Sequence, residues 1–200
     1  MVEKTLNKES MFFSVTDTKS KILYADDTFC KISGFERDEL EGQLHNIVRD
    51  DNTPKYMFCI LWEYLKSGKP AVMYVRNKTK KGDYYWFLSL SFPVKNMENK
   101  ILAYFSIRIS PEGKYFHKMK DLYKKFIKIE EDNPDNYQEI CQKEMTSFIN
   151  TFNYKSYEEF MKDILKDEIE LKNGILVPKI NLSKANIHMK NILDFIDSLA

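Results

Sequence analysis

Three extended runs joined by tight polar turns, all within residues 71–110, limit what this chain can fold into. AVMYVRNKT, YYWFLSLSFPV and KILAYFSIRI are rich in β-branched and aromatic residues, and Lys-Lys-Gly-Asp and Asn-Met-Glu-Asn connect them. Such runs with such short connections predict a three-stranded antiparallel meander. Side chains along a strand alternate between two faces, so in the middle run Trp86, Leu88, Leu90 and Phe92 share one face and Ser89 and Ser91 the other. The apolar set is expected to cover the core. Ser89, Ser91 and Ser106 are then expected on an outer face that a helix or a second subunit can cover.

Upstream, residues 1–10 read as a flexible tail, followed by MFFSVTD and ILYA around a polar turn, a hairpin pattern. Asp26 or Asp27 can cap a short helix whose Phe29 and Ile32 lie on one face and which Gly34 ends. After the polar helix ERDELEG, Thr53 reads as an N-cap with Pro54 in the first helical position, and Phe58, Leu61, Trp62 and Leu65 keep helical spacing up to Gly68. Two strands, small helices and three strands make an α+β domain over residues 11–112. Pro111 and Gly113 mark a boundary, beyond which residues 113–200 read as helical. Tyr115, Phe116, Met119, Leu122, Tyr123, Phe126 and Ile127 form the stripe of a first helix, and a second runs from around Pro134 through Phe152. Ser156 with Glu159 opens a third that Asn173-Gly174 closes, and Ser183 caps a last one.

Of the 200 residues, 43% are hydrophobic, enough for a core, and 31 Lys and Arg against 30 Asp and Glu leave a formal charge of +1. No global field favours nucleic acid or an anionic membrane. No apolar run nears the roughly 20 residues of a membrane span, and residues 1–10 lack a signal-peptide core, so a cytoplasmic location without membrane insertion is expected. Cys30, Cys59 and Cys141 are scattered and odd in number, which suits reduced thiols rather than disulfides or a metal site.

TDTKSKILYADDTFCKISGFERDELEGQLHNIVR, MFCILWEYLKSGKP, VRNKTKKGDYYW and AYFSIR, in this order, resemble the PAS domain of the aerotaxis-receptor type and cover about half the chain. The resemblance implies a PAS fold, in which a five-stranded antiparallel sheet and small helices cup a pocket. It also implies noncovalently bound FAD and signalling of redox state to the chemotaxis machinery. Carried over, Arg49 matches the arginine important for flavin binding, and Asn77, Trp86 and Trp62 match further family positions. The chain departs from the family at Asp26, which replaces an asparagine, and at Asp50-Asp51-Asn52, where the family has His-Pro-Asp. Ala71 stands where a tryptophan is common.

A guanidinium grips phosphate oxygens bidentately, so Arg49 suits the pyrophosphate of FAD, whereas Asp26, Asp50 and Asn52 are expected near the same ligand, the two carboxylates opposing its charge. Trp62 and Trp86 fall on apolar faces that serve a core as well as a ligand. His45 reads as a hydrogen-bonded turn residue. His117 lacks the context of a kinase phosphoacceptor, and neither an ATP-binding glycine motif nor a nucleophile–base pair occurs, so no enzyme is expected. The expected function is a PAS sensor that binds FAD or another small ligand and relays redox state in trans to a membrane chemoreceptor or other signalling protein. The alternative is a ligand-free adaptor that dimerises through the PAS domain.

Overall fold

The computed structural model describes residues 1–7, 10–172 and 175–178, with side chains through residue 166. Met11–Asp17 (β1) and Ile22–Ala25 (β2) form the expected hairpin. Its turn closes because the Asp17 carboxylate accepts from the N–H groups of Lys19 and Lys21, both at 2.8 Å, an Asx-type turn. Asp27–Ser33 (α1) starts at Asp26, whose buried carboxylate accepts from the N–H of Phe29 at 2.9 Å and of Phe13 at 3.1 Å, tying the helix to β1. Gly34 ends α1 at φ 74°, a conformation that side chains with a Cβ disfavour.

Arg37–Leu40 (α2) and a single 3-10 turn, His45–Val48, lead to Lys55–Lys66 (α3). Ala71–Lys78 (β3), Tyr84–Lys95 (β4) and Ile101–Ile109 (β5) are the predicted meander. β5 returns to pair with β1, so the antiparallel sheet runs β2-β1-β5-β4-β3.

Trp86, Leu88 and Leu90 are buried in a core as expected, but the serine face, expected to be outer, is the inner one. Met73 pairs with Ser89 and Val75 with Phe87, and that face, with Ser91, Ser106 and Arg108, turns toward α3 and lines a cavity. Tyr74 pairs with Leu88 and Arg76 with Trp86 on the opposite, outer face. Trp86 packs there on Phe116 and Tyr123, with ring centroids 5.6 and 5.8 Å away. Alternation separates two faces without saying which one the helices of a domain will cup, and here the C-terminal helices bury the outer face as well.

Those helices are Phe116–Asp132 (α4), Tyr137–Asn150 (α5) and Tyr157–Glu168 (α6). Side chains from α4 and α6 also take up outward backbone groups of β3. The Tyr123 hydroxyl donates to the Tyr74 carbonyl at 2.6 Å and the Tyr157 hydroxyl to the Val72 carbonyl at 2.9 Å. The Val72 N–H donates to Met161 Sδ at 3.1 Å. Thr53 serves the next outward position, its hydroxyl donating to the Arg76 carbonyl and accepting from the Arg76 N–H.

Thr53 therefore does not cap α3, contrary to expectation. Pro54 occupies the N-cap without a side-chain bond, and Glu130 of α4 takes the orphan donors instead, accepting from the N–H of Lys55 at 3.0 Å and of Tyr56 at 2.8 Å. The third C-terminal helix also differs. At its start the Ser156 hydroxyl accepts from the Glu159 N–H, while the Glu159 carboxylate accepts from the N–H of Lys155, one residue before the expected partner; α6 ends at Glu168, and Ile169–Lys172 (β6) pairs antiparallel with Ile175–Pro178 (β7). An Asn-Gly pair between β-prone runs is a hairpin signal as much as a helix stop. The helix expected from Ser183 lies outside the described residues. At the other end, residues expected as a tail lie along the sheet: Glu3 bridges Tyr84, and the Lys4 N–H donates to the Tyr84 carbonyl at 2.7 Å. Among the described residues no helix is long and apolar enough to cross a membrane.

Candidate functional site

Between the inner face of the sheet and α3 lies a cavity of about 350 Å³, within the usual range for small-molecule sites. Hydroxyls form its floor, where Ser89 Oγ lies 3.1 Å from Ser91 Oγ, itself 2.8 Å from Ser106 Oγ. The amphipathic spacing of α3 supplies an apolar wall of Phe58, Leu61, Trp62 and Leu65, with Trp62 edge-on to Tyr104 at 5.3 Å. Exposed Lys19, Leu44 and Asn46, with half-buried Arg49, form the mouth.

Arg49 owes its position to backbone pairing. The residue forms an isolated antiparallel bridge with Asn77, and its guanidinium sits 4.0 Å from the centroid of Phe58. Asp50 holds the loop beneath it: one carboxylate oxygen accepts from the Asn52 N–H at 2.8 Å and lies 3.2 Å from Arg76 Nε. At 3% exposure Asp50 is a buried partner of Arg76, and exposed Asn52 belongs to its turn, so neither lines the cavity. Asp26 is spent on α1 and β1, and Trp86 lies on the far side of the sheet. Of the seven residues singled out in the sequence, the cavity brings together Arg49, Trp62 and Asn77. The other four were placed by matching family positions, which carry no information about which way a side chain turns.

Arg108, not singled out in the sequence, and His45, read there as a hydrogen-bonded turn residue, dominate the inner end. Arg108 is 3% exposed, and its Nη2 donates to Ser14 Oγ at 2.8 Å and to His45 Nε2 at 2.9 Å. Because arginine only donates, His45 Nε2 must be the acceptor and the ring proton sits on Nδ1. Burial, then the neighbouring Arg108 charge, lowers the His45 imidazole to about 3, so it is neutral at physiological pH. Burial also lowers Arg108 to about 10, opposed by Tyr85 and Asp26, and the guanidinium stays charged. The rings of Phe12, Phe29 and Phe87 surround it at 5.2–5.6 Å. Arg108 Nη1 and Asn77 Nδ2 have no hydrogen-bond acceptor among the described residues. Asn77 adjoins the Tyr85 hydroxyl, also unbonded, without reaching hydrogen-bond geometry, and burial raises that phenol to about 12. A signal for Arg108 was present in AYFSIRI, where it shares parity with Ser106.

Residues 22–107 match the family model described as the PAS fold. Over 119 residues the chain is 39% identical to the aerotaxis receptor of Escherichia coli (strain K12), covering 60% of this chain and 23% of that protein. The chain carries a PAS domain similar to that of the aerotaxis receptor. A second relative, the nitrogen fixation regulatory protein of Klebsiella oxytoca, is 23% identical to it over 103 residues, 52% of this chain and 21% of that one. The chain thus spans less than a quarter of the length of these curated relatives. Among solved structures, the light state of the blue-light photoreceptor Aureochrome1 LOV aligns with a TM-score of 0.49 at 17% identity, over 54% of this chain and 86% of that one. Within the PAS domain, α3 is the element shared between regions: Phe58 and Trp62 face the cavity, while Tyr56 packs edge-on against Phe126 of α4 at 5.2 Å.

Proposed function

We propose that this chain is a sensory protein of energy taxis, whose PAS cavity holds FAD and whose C-terminal helices relay its redox state to a separate signalling protein, a membrane chemoreceptor in trans. One observation carries the reading: among the described residues every charged side chain lining the cavity is a cation, namely Lys19, Arg49 and Arg108, and no carboxylate lines it. Such a lining suits an anionic ligand with an apolar, planar body. Arg49 and Lys19 at the mouth would hold the phosphates, and the apolar wall with Trp62 would take the ring. Asn77 and the serine floor offer hydrogen bonds to its heteroatoms. When bound, FAD supplies a group that accepts electrons and changes charge.

The relay would run through α3, one wall of the cavity, whose first amides are held by Glu130 of α4. A shift of α3 alters that cap, and a change in α4 docking alters α3 in return. Wild-type protein from flavin-replete cells is expected to release FAD on denaturation, and Arg49→Ala to fold yet lose most of it. A wild type without FAD sinks the sensor reading in favour of the ligand-free adaptor. The relay is tested in the full chain with Glu130→Ala, because cutting after Ile109 also strips the cover from Trp86 and Tyr74.

A further inference from the structure

We propose that Arg108 is the specificity-determining residue of the cavity, its unbonded Nη1 taking a negatively charged or carbonyl-bearing edge of the ligand. The inference deepens the FAD reading and rests on it for the identity of the probe. A guanidinium carries five N–H donors, and among the described residues only Nη2 has partners, one serine hydroxyl and one imidazole, both neutral. No carboxylate forms an ion pair with Arg108 among the described residues, and Asp26, near enough to act on its charge, is engaged by the N–H groups of Phe13 and Phe29. A buried cation without an anionic partner destabilises a fold, and such groups persist where a ligand completes them.

Arg108 and Asn77 both line the cavity. Phe12, Phe29 and Phe87 pack around the guanidinium and offer no acceptor, and the Tyr85 hydroxyl acts on its charge without a hydrogen bond to it, which leaves the cavity that Arg108 lines as the place where an acceptor can arrive. Asn77 Nδ2, also unbonded, lines the same cavity and gives a second donor for the same ligand edge. Oxidised flavin presents carbonyl oxygens on a neutral ring. Two electrons and one proton convert it to a reduced ring bearing one negative charge, which Arg108 holds more tightly. The inference concerns these two bound forms, and in the experiment dithionite supplies the electrons.

Two measurements on full-length wild type, Arg108→Met and Arg108→Lys test it. In the first, ligand-free proteins are melted. An arginine kept for the ligand costs the empty fold its burial, so Arg108→Met should melt no lower than wild type; a clear drop would make the residue structural and overturn the proposal. In the second, anaerobic titrations give the dissociation constants of oxidised and of dithionite-reduced FAD. Wild type should favour the reduced form over the oxidised by about tenfold more than Arg108→Met does, the effect of one charge-assisted hydrogen bond, with Arg108→Lys in between. An unchanged ratio in Arg108→Met, with FAD bound, overturns this inference and leaves the FAD reading standing. No FAD binding by wild type removes the FAD reading, and the melting comparison then decides on Arg108 alone.

Discussion

The two faces of the sheet are built on opposite terms. On the outer face, Trp86 and Tyr74 meet the aromatic rings of α4, and even the backbone groups of β3 are closed by Tyr123, Tyr157 and Met161. On the inner face, small hydroxyls line a void, and two buried donors, Arg108 Nη1 and Asn77 Nδ2, have no acceptor among the described residues. Close packing on one side supplies the stability that lets the other remain open. The two faces differ in what covers them, packed aromatic rings on one and a cavity lined by hydroxyls on the other.

That contrast breaks most visibly at Trp86. Trp86→Ala should cost about 3–5 kcal/mol in urea unfolding, as large-to-small changes in a packed core do, and should loosen α4. A loss below 1 kcal/mol would mean that the outer face is not the structural one. Asp50→Asn should cost about 3 kcal/mol by leaving Arg76 without its buried partner, and should lower FAD retention by freeing the Arg49 loop. Asp50→His, which restores the family residue, is expected to lower retention for the same reason; a rise would return Asp50 to the neighbourhood of the phosphates.

A third test uses pH. His45 is held at about 3 in the folded chain against an ordinary value near 6.5, so between those values the unfolded chain binds the extra proton. Its contribution is therefore complete above pH 6.5 and is lost as pH falls toward 3, with a slope of up to about 1.4 kcal/mol per pH unit. His45→Gln should flatten that part of a stability–pH curve, and an unchanged curve would place the acid sensitivity elsewhere. A smaller effect is expected at Glu130: Glu130→Ala should cost about 1 kcal/mol, typical of a lost cap, and raise amide exchange at Lys55 and Tyr56. Ser89→Ala should be the mildest, within about 0.5 kcal/mol, since its hydroxyl bonds only within the serine floor.

The meander, the Asp26 cap and the gathering of Arg49, Trp62 and Asn77 were legible because each follows from local chemistry or from a motif read in order. Which face is inner was not, because both faces are buried and Trp86 looks like core from either side. Thr53 and Glu130 show a second limit. A helix start advertises its need for acceptors, but a carboxylate 75 residues away in sequence meets it, at Lys55, through tertiary structure alone. Arg108 was missed because a lone arginine in an apolar strand has no sequence neighbour to declare its role.

The closed border of β3 has a consequence for how this chain survives at high concentration. A bare strand border is a template on which another copy can add a strand, the first step of edge-to-edge aggregation. Here the opposite border is guarded too, for the four residues of β2 are flanked by the 42–44 segment, through Gly42 N–H to the Ile22 carbonyl and Ile22 N–H to the Gln43 carbonyl. Since Tyr123, Tyr157 and Met161 guard β3 from outside the PAS domain, a fragment ending near residue 112 carries an open template. Such a fragment should self-associate where the longer chain stays dispersed, so the smallest piece suited to solution work extends through α6.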